Sequence, residues 1–270
     1  MTRAALSIFS LFAFGLSAHA YPGGTPTYQT DVAPFCAGCH SSIDEQALAG
    51  GGDRATKEVA ENKHLATVGS GRGAYEELSP ADRQKLIEHI RAVDAHSSVT
   101  VESPAQVTAG ETFSVTVNVT GGSGPVVGIA LVDSAHRWYA RPLAVSGFGV
   151  VGAPTAIGQD GKPQTAWIDK RPEALGRNIT YVNITGVSSD AEAGSWGSAK
   201  AIFTLKAPER AGHYPLVAVY FYGTEKASTL GTKVSTLGWK GPRGGTLGSS
   251  GRVRFSDVQT VTVGAAAPAD

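Results

Sequence analysis

The sequence has very little cysteine and methionine, no excess of either charge, and a single short hydrophobic run. Its two cysteines both lie within residues 36–39 and allow at most one disulfide, which excludes a disulfide-stapled scaffold. Lysine plus arginine and aspartate plus glutamate number 23 each, so no net charge attracts nucleic acid or anionic lipid. The 34 glycines and 14 prolines predict many turns. The fold must therefore be stabilised mainly by apolar burial.

The hydrophobic run stands at the N-terminus. Arg3 precedes apolar residues 4–16, and small residues at 18 and 20 then form a cleavage pattern. This arrangement predicts a signal peptide over residues 1–20, and Tyr21 as the first mature residue. The run is too short to span a bilayer, and no other stretch reaches the apolar length that a membrane span needs. We therefore expect an exported protein, periplasmic or secreted, with no membrane span in the mature chain.

Residues 21–97 carry helix signals. The clearest lies over residues 78–93, where Ser79 is a favourable N-cap and Pro80 occupies the first helical position. Apolar side chains then recur at intervals of three and four, which is typical of an amphipathic helix. A second helix is predicted over residues 56–68.

Residues 98–263 carry strand signals. Apolar and polar residues alternate strictly over residues 111–119, which is typical of a half-buried strand. Similar runs occur at residues 126–132, 179–184, 201–205, 214–222 and 258–263. Together they predict an antiparallel β-sandwich. The Gly212-x-Tyr214 pair resembles the tyrosine corner of immunoglobulin-like domains.

Three segments after residue 98 carry no strand prediction. Residues 134–177 are interpreted as a long excursion without clear elements, residues 243–252 as a mobile loop, and residues 264–270 as a disordered tail.

The sequence Cys36-Ala37-Gly38-Cys39-His40 matches the attachment pattern of c-type haem. Two thiols at this spacing add across the haem vinyl groups, and the following histidine can ligate the iron. A redox dithiol would need a thioredoxin-like context, a zinc site would need more ligands, and a plain disulfide would leave His40 unexplained. We expect one covalent haem c, bound through Cys36 and Cys39, with His40 as the proximal iron ligand.

The motif, followed further along the chain by the helix over 78–93, resembles a small monohaem cytochrome c of class I. The resemblance covers residues 21–97. It implies a multidomain chain: a small all-α cytochrome c domain followed by an all-β immunoglobulin-like or fibronectin III-like sandwich over residues 98–263. It also implies that Leu86 and Ile90 help to close the haem crevice.

The resemblance leaves the sixth iron ligand open. Cytochromes of this class use a methionine, but the one methionine here is Met1, which leaves with the signal peptide. His64 is the candidate distal ligand, since histidine commonly ligates haem. The alternative is a solvated His64 on a helix surface, with water, an exogenous ligand or nothing at the sixth position.

These observations predict an electron carrier between periplasmic redox proteins, with the β-sandwich docking or positioning the haem domain and no catalytic role. Two alternatives remain. One is a haem-based binder or sensor of nitric oxide, carbon monoxide or peroxide with an open sixth position. The other is an adhesion or structural protein with an accessory haem. No nucleic acid partner is expected, and the oligomeric state stays open.

Overall fold

The computed structural model describes residues 40–44, 46–48, 53–164, 180–234, 238, 240–244 and 250–265, and this part of the chain is predominantly β. Its strands are β1 (His40–Ser41), β2 (Ser98–Glu102), β3 (Gln106–Thr108), β4 (Thr112–Thr120), β5 (Ser123–Val132), β6 (Gly149–Val150), β7 (Thr155–Ile157), β8 (Pro163–Gln164), β9 (Tyr181–Thr185), β10 (Ser198–Lys206), β11 (Gly212–Gly223), β12 (Thr232–Val234), β13 (Lys240–Pro242), β14 (Gly251–Phe255) and β15 (Gln259–Gly264).

Two sheets form the sandwich. The first has seven strands in the order β1-β14-β11-β15-β3, with β5 paired to β11 and β9 paired to β5. The second has six strands in the order β2-β4-β10-β7-β8, with β6 also paired to β10. β1 and β3 join the first sheet in parallel, through β14 and β15 respectively. A separate ribbon consists of β12 and β13.

The main core lies between the sheets. It is built from the inward-facing side chains of both, such as Val117 of β4, Phe203 of β10 and Tyr220 of β11. β11 is buried on both faces, because its alternate residues Val219 and Phe221 belong to a second apolar cluster on the outer side of the first sheet. This explains the nearly continuous apolar run of β11.

The helices are α1 (Asp53–Glu58), a π-helical turn (Glu61–Leu65), α2 (Ala66–Gly69) and α3 (Pro80–His96). Single 3-10 turns occupy residues 46–48, 73–75, 143–146 and 225–227. α3 begins as the sequence predicts: the Ser79 hydroxyl accepts a hydrogen bond from the Asp82 amide at 3.1 Å. The predicted helix over residues 56–68 is divided among α1, the π-helical turn and α2.

The strands expected from alternation are present as β4, β5, β9, β10, β11 and β15. The Tyr214 hydroxyl donates to the carbonyl oxygen of Arg210 at 2.7 Å, which is the hydrogen bond of a tyrosine corner. In the long excursion, β6, β7, β8 and a 3-10 turn are present, and residues 165–179 lie outside the described residues. The mobile-loop interpretation of residues 243–252 is wrong for residues 251–252, which begin β14.

The predicted fold class, a small all-α cytochrome c domain followed by a sandwich, is wrong. Apart from α3 the helices are short, and the helical segment contacts the sandwich at two places. Val93 of α3 belongs to the main sandwich core. The small helical cluster around Leu86 and Ile90 is packed against Leu230, which follows β11. These side chains therefore stabilise the attachment of the helices to the sandwich.

The boundaries of the predicted domains stay predictions. Residues 1–39, which include the predicted signal peptide and both cysteines, and residues 266–270 lie outside the described residues. No helix of the described part is long and apolar enough to cross a membrane.

Candidate functional site

His40, the predicted proximal iron ligand, lies in β1 at the edge of the first sheet. β1 runs parallel to β14, with His40 opposite Gly251 and Ser41 opposite Arg252. The Ser41 hydroxyl donates to the carbonyl oxygen of Gly251 at 3.1 Å. Cys39, the second cysteine of the predicted attachment motif, directly precedes β1 in the sequence. Cys36 and Cys39 themselves lie outside the described residues.

The hydrogen bonding of His40 determines which ring nitrogen carries the proton. His40 Nδ1 lies 3.1 Å from the carbonyl oxygen of Arg252. A carbonyl oxygen can only accept, so Nδ1 donates and Nε2 keeps its lone pair. Metal-binding histidines commonly show this arrangement, in which one nitrogen donates to a carbonyl and the other binds the metal.

Burial keeps the His40 ring neutral. Burial lowers the pKa of His40 to about 4, and the nearby positive charges of Arg137 and Arg252 act in the same direction. The hydrogen bond to the carbonyl of Arg252 opposes this shift but is outweighed. At neutral pH Nε2 therefore carries a lone pair and no proton.

Packing around the ring leaves little tolerance for change. The edge of the Phe221 ring meets the His40 ring at 5.8 Å between centroids and 74° between planes. A Cβ atom on Gly251 would lie 2.5 Å from His40 Nδ1, so the close approach of β14 requires glycine there.

Arg137 connects β1 to the neighbouring helix. Its buried guanidinium donates to the carbonyl oxygen of His40, and also to the carbonyl oxygen and a carboxylate oxygen of Glu58 at 3.3 and 3.2 Å. The Arg137 amide donates to the carbonyl oxygen of Ala47 at 2.9 Å. The loop after β5 thus holds the N-terminal segment against the sheet.

His64 lies elsewhere, in a buried polar network between the π-helical turn and the sandwich. Its Nδ1 is 3.1 Å from an Arg252 guanidinium nitrogen, which can only donate, so Nδ1 accepts. Nε2 consequently carries the proton in the neutral ring and donates to Glu225 at 3.0 Å. The Tyr75 hydroxyl donates to the same Glu225 oxygen and lies 3.1 Å from His64 Nε2.

Arg252 is the centre of this network. Its Nε lies 3.1 and 3.0 Å from the two carboxylate oxygens of Asp94, and one terminal nitrogen donates to Ser41 Oγ at 3.0 Å. The Tyr222 hydroxyl donates to Asp94 at 3.2 Å. The other oxygen of Glu225 accepts from the Gly244 amide at 2.6 Å. Helices, β1 and sandwich therefore meet at one buried guanidinium.

Burial also shifts the titration of this network. It lowers the pKa of His64, and the positive charge of Arg252 adds to the effect, although the hydrogen bond to Glu225 acts in the opposite direction. Burial and the adjacent negative charge of Glu225 raise the pKa of Tyr75 well above its ordinary range. Both side chains are neutral at physiological pH.

The two predicted iron ligands, His40 and His64, both contact Arg252, but through different groups. His40 donates to the backbone carbonyl, and His64 accepts from the guanidinium. Since Nδ1 of His64 accepts and Nε2 donates within the protein, ligation of iron by His64 would require this network to open. The distal role of His64 stays a prediction that this geometry does not support.

The donor chemistry of His40 fits a haem c, whose protein ligand on the motif side is one neutral imidazole. Among the described residues, no group of three or more histidine, cysteine, aspartate or glutamate side chains is placed to hold a metal ion. The class I cytochrome resemblance is wrong, because Leu86 and Ile90 pack in the helical cluster beside Leu230 rather than around a haem crevice. The electron-carrier prediction depended on that resemblance and is wrong with it.

Sequence reasoning missed Asp94, Glu225 and Arg252. A signal for Asp94 existed, because it lies four residues after Ile90 and so continues the buried stripe of α3 with a carboxylate. Arg252 alternates with Val253, as expected of a strand with one polar and one apolar side. The surrounding glycines and serines obscured that pattern.

No protein-family model and no curated protein matches the chain. Among solved structures it is similar to the CARDB domain of a Pyrococcus furiosus protein in complex with di-metal ions, at 13% identity and a TM-score of 0.25, covering 63% of this chain and 90% of that chain. It is also similar to the C-terminal domain of the AgI/II polypeptide BspA of Streptococcus agalactiae, at 8% identity and a TM-score of 0.30, covering 62% and 50%. Similarities at this level carry no argument about function, and the fold described above depends on this chain's own strand pairing.

Proposed function

We propose that this protein is an exported structural or adhesive β-sandwich whose N-terminal strand carries an accessory haem c. Cys36 and Cys39 would attach the haem covalently, and His40 would bind its iron through Nε2. A bound haem would supply an iron centre at the edge of the first sheet. The chain's own residues would orient that centre and hold it against the sandwich.

The observation that carries the proposal is the hydrogen bond from His40 Nδ1 to the carbonyl oxygen of Arg252. It presents a neutral imidazole with its Nε2 lone pair unprotonated, directly after the second cysteine of an attachment motif. The hydrogen bond comes from β14, so the ligand is fixed by the sandwich itself. This favours a sandwich that carries a haem over a separate haem domain.

The hydrogen bonds that join the N-terminal segment to the sheet support a structural function. Ser41 donates to the backbone of β14, and Arg137 ties the backbone of His40 to α1. The sandwich core is built from apolar side chains of both sheets. Loss of the haem should therefore leave the sandwich folded, unlike a small cytochrome whose core surrounds its haem.

The test compares the full-length chain with a Cys36→Ala and Cys39→Ala double variant, both exported from a host that attaches c-type haem. We expect the wild type to keep its haem through a denaturing gel and in an intact mass measurement. We expect the double variant to lose haem staining while its far-ultraviolet circular dichroism and its thermal unfolding stay close to those of the wild type.

Either of two outcomes would contradict the proposal. One is a wild-type protein that releases its haem on denaturation or never acquires it. The other is a haem-free double variant that is unfolded, since the haem would then be part of the core. His40→Ala is the matched control: the covalent link should survive, whereas the iron spectrum should change.

A second candidate function, reversible binding of a small haem ligand, is favoured by one observation. Both ring nitrogens of His64 are engaged with Arg252 and Glu225, so His64 is not presented to an iron. An open sixth position would let the wild-type ferrous protein bind carbon monoxide with an immediate spectral shift. A six-coordinate spectrum that carbon monoxide does not change would exclude this candidate.

A further inference from the structure

We infer that Arg252 is a positioning residue for His40: its carbonyl oxygen holds the imidazole in the Nδ1–H tautomer, and its side chain, clamped by Asp94, fixes that carbonyl in place. The inference deepens the proposed function and rests on it for the identity of the bound group. The tautomer itself can be tested without any haem.

The Arg252 backbone supplies the acceptor for the His40 ring. Arg252 lies in β14 opposite Ser41 on one side and Tyr222 of β11 on the other. Its carbonyl oxygen accepts from His40 Nδ1 at 3.1 Å. The position of this acceptor therefore depends on where β14 runs at residue 252.

The Arg252 side chain holds that backbone in place. The Arg252 guanidinium is buried and reaches three separate elements. It contacts both carboxylate oxygens of Asp94 in α3 at 3.1 and 3.0 Å, Ser41 Oγ in β1 at 3.0 Å, and His64 Nδ1 in the π-helical turn at 3.1 Å. A buried guanidinium cannot leave such partners without a large desolvation penalty. The side chain thus restricts movement of its own backbone.

The acceptor sets the tautomer of His40. Free histidine in water favours the Nε2–H tautomer, in which Nε2 has no lone pair for a metal. A carbonyl acceptor at Nδ1 reverses this preference and also makes Nε2 a stronger donor to a metal. Asp94 binds the Arg252 guanidinium and the Arg252 carbonyl oxygen binds the His40 ring, so Asp94 acts on His40 through Arg252.

The test in the absence of haem uses nitrogen-15 NMR of the histidine side chains in the full mature chain bearing Cys36→Ala and Cys39→Ala. At neutral pH we expect His40 to be the Nδ1–H tautomer. Adding Asp94→Asn or Arg252→Lys should move it toward the Nε2–H tautomer. Adding Glu61→Gln, which removes an exposed ion pair with Arg91, should change nothing.

Two results would overturn the inference. A His40 that is already Nε2–H or mixed in the parent chain would do so without any further variant, even if Asp94→Asn failed to fold. A pure Nδ1–H tautomer retained in folded Asp94→Asn and Arg252→Lys chains would show that the clamp is not needed.

Measurements on the haem-loaded protein separate the positioning role of Arg252 from the proposed attachment of haem. In the ferrous protein, Asp94→Asn should lower the frequency of the iron–histidine stretch and raise the reduction potential, since His40 becomes a weaker donor. Attached haem with both quantities unchanged would sink the inference and leave the proposed function intact. No attached haem at all would sink the proposed function, while the NMR test of the tautomer still stands.

Discussion

Replacement of Asp94 by asparagine is expected to lower the free energy of unfolding by about 3–5 kcal/mol, because it leaves a buried guanidinium without its carboxylate. Arg252 has no exposed surface, and both oxygens of Asp94 accept from it. Asparagine preserves the size of the side chain, so the change removes charge with little change in packing. Urea unfolding followed by circular dichroism would measure the effect.

Glu61→Gln is the matched control for this experiment. Glu61 pairs with Arg91 at 2.6 Å, but the two side chains are 58% and 51% exposed, and such pairs contribute roughly 0–1 kcal/mol. A double variant, Asp94→Ala with Arg252→Met, should be less destabilised than the sum of the two single changes. If Asp94→Asn cost no more than Glu61→Gln, the central place of Arg252 in the fold would be disproved.

Lowering the pH from about 8 to about 5 is expected to destabilise the haem-free protein, the double variant Cys36→Ala and Cys39→Ala, through His40 and His64. Burial lowers the pKa of both histidines in the folded state, while unfolded histidine titrates near pH 6.5. The unfolded chain therefore takes up protons first as the pH falls. The contribution of the two histidines to the free energy of unfolding is fully present above about pH 6.5. Below that pH it falls by at most about 1.4 kcal/mol per pH unit for each histidine.

The physical cause at His64 lies in the groups around it. Burial is the main cause of the lowered pKa, because it disfavours a charged ring, and the positive charge of Arg252 acts in the same direction. The hydrogen bond to Glu225 and the negative charges of Glu225 and Asp94 oppose this shift but do not outweigh it. His64→Gln offers a neutral donor and acceptor in the same place. We expect it to reduce the loss of stability between about pH 6.5 and 5, measured by urea unfolding at each pH. An unchanged pH dependence would contradict the buried neutral state of His64.

Local patterns predicted most elements of the fold. The Ser79 cap and the spacing of Leu86 and Ile90 predicted α3, and strict alternation predicted β4 and β10, because both signals depend on residues close in sequence. The haem motif likewise identified His40 as the candidate ligand. None of these inferences needed long-range information.

The association of the helices with the sandwich could not be predicted in the same way. An apolar stripe on α3 is equally compatible with a haem crevice and with a β-sheet, because both offer an apolar surface. Which surface covers α3 depends on the ion pair between Asp94 and Arg252, which lies 158 residues further along the chain. A carboxylate on an otherwise buried stripe indicates a buried partner, but the partner's position is set by sheet pairing.

β1 was missed for a related reason. Two residues are too short to show alternation, and His40–Ser41 becomes a strand only through parallel pairing with Gly251–Arg252. The glycines that allow that close approach made the same segment resemble a loop.

Native-state hydrogen exchange of the intact mature chain tests most directly whether helices and sandwich form one structure joined at Arg252. We expect the most protected amides of α3, near Ile90, and of β11, near Val219, to open with the same free energy. We also expect Asp94→Asn to lower both free energies by the same amount. If the α3 amides instead opened at a distinctly lower free energy, and Asp94→Asn left β11 protection unchanged, the helices would be an independent unit and the account would be contradicted.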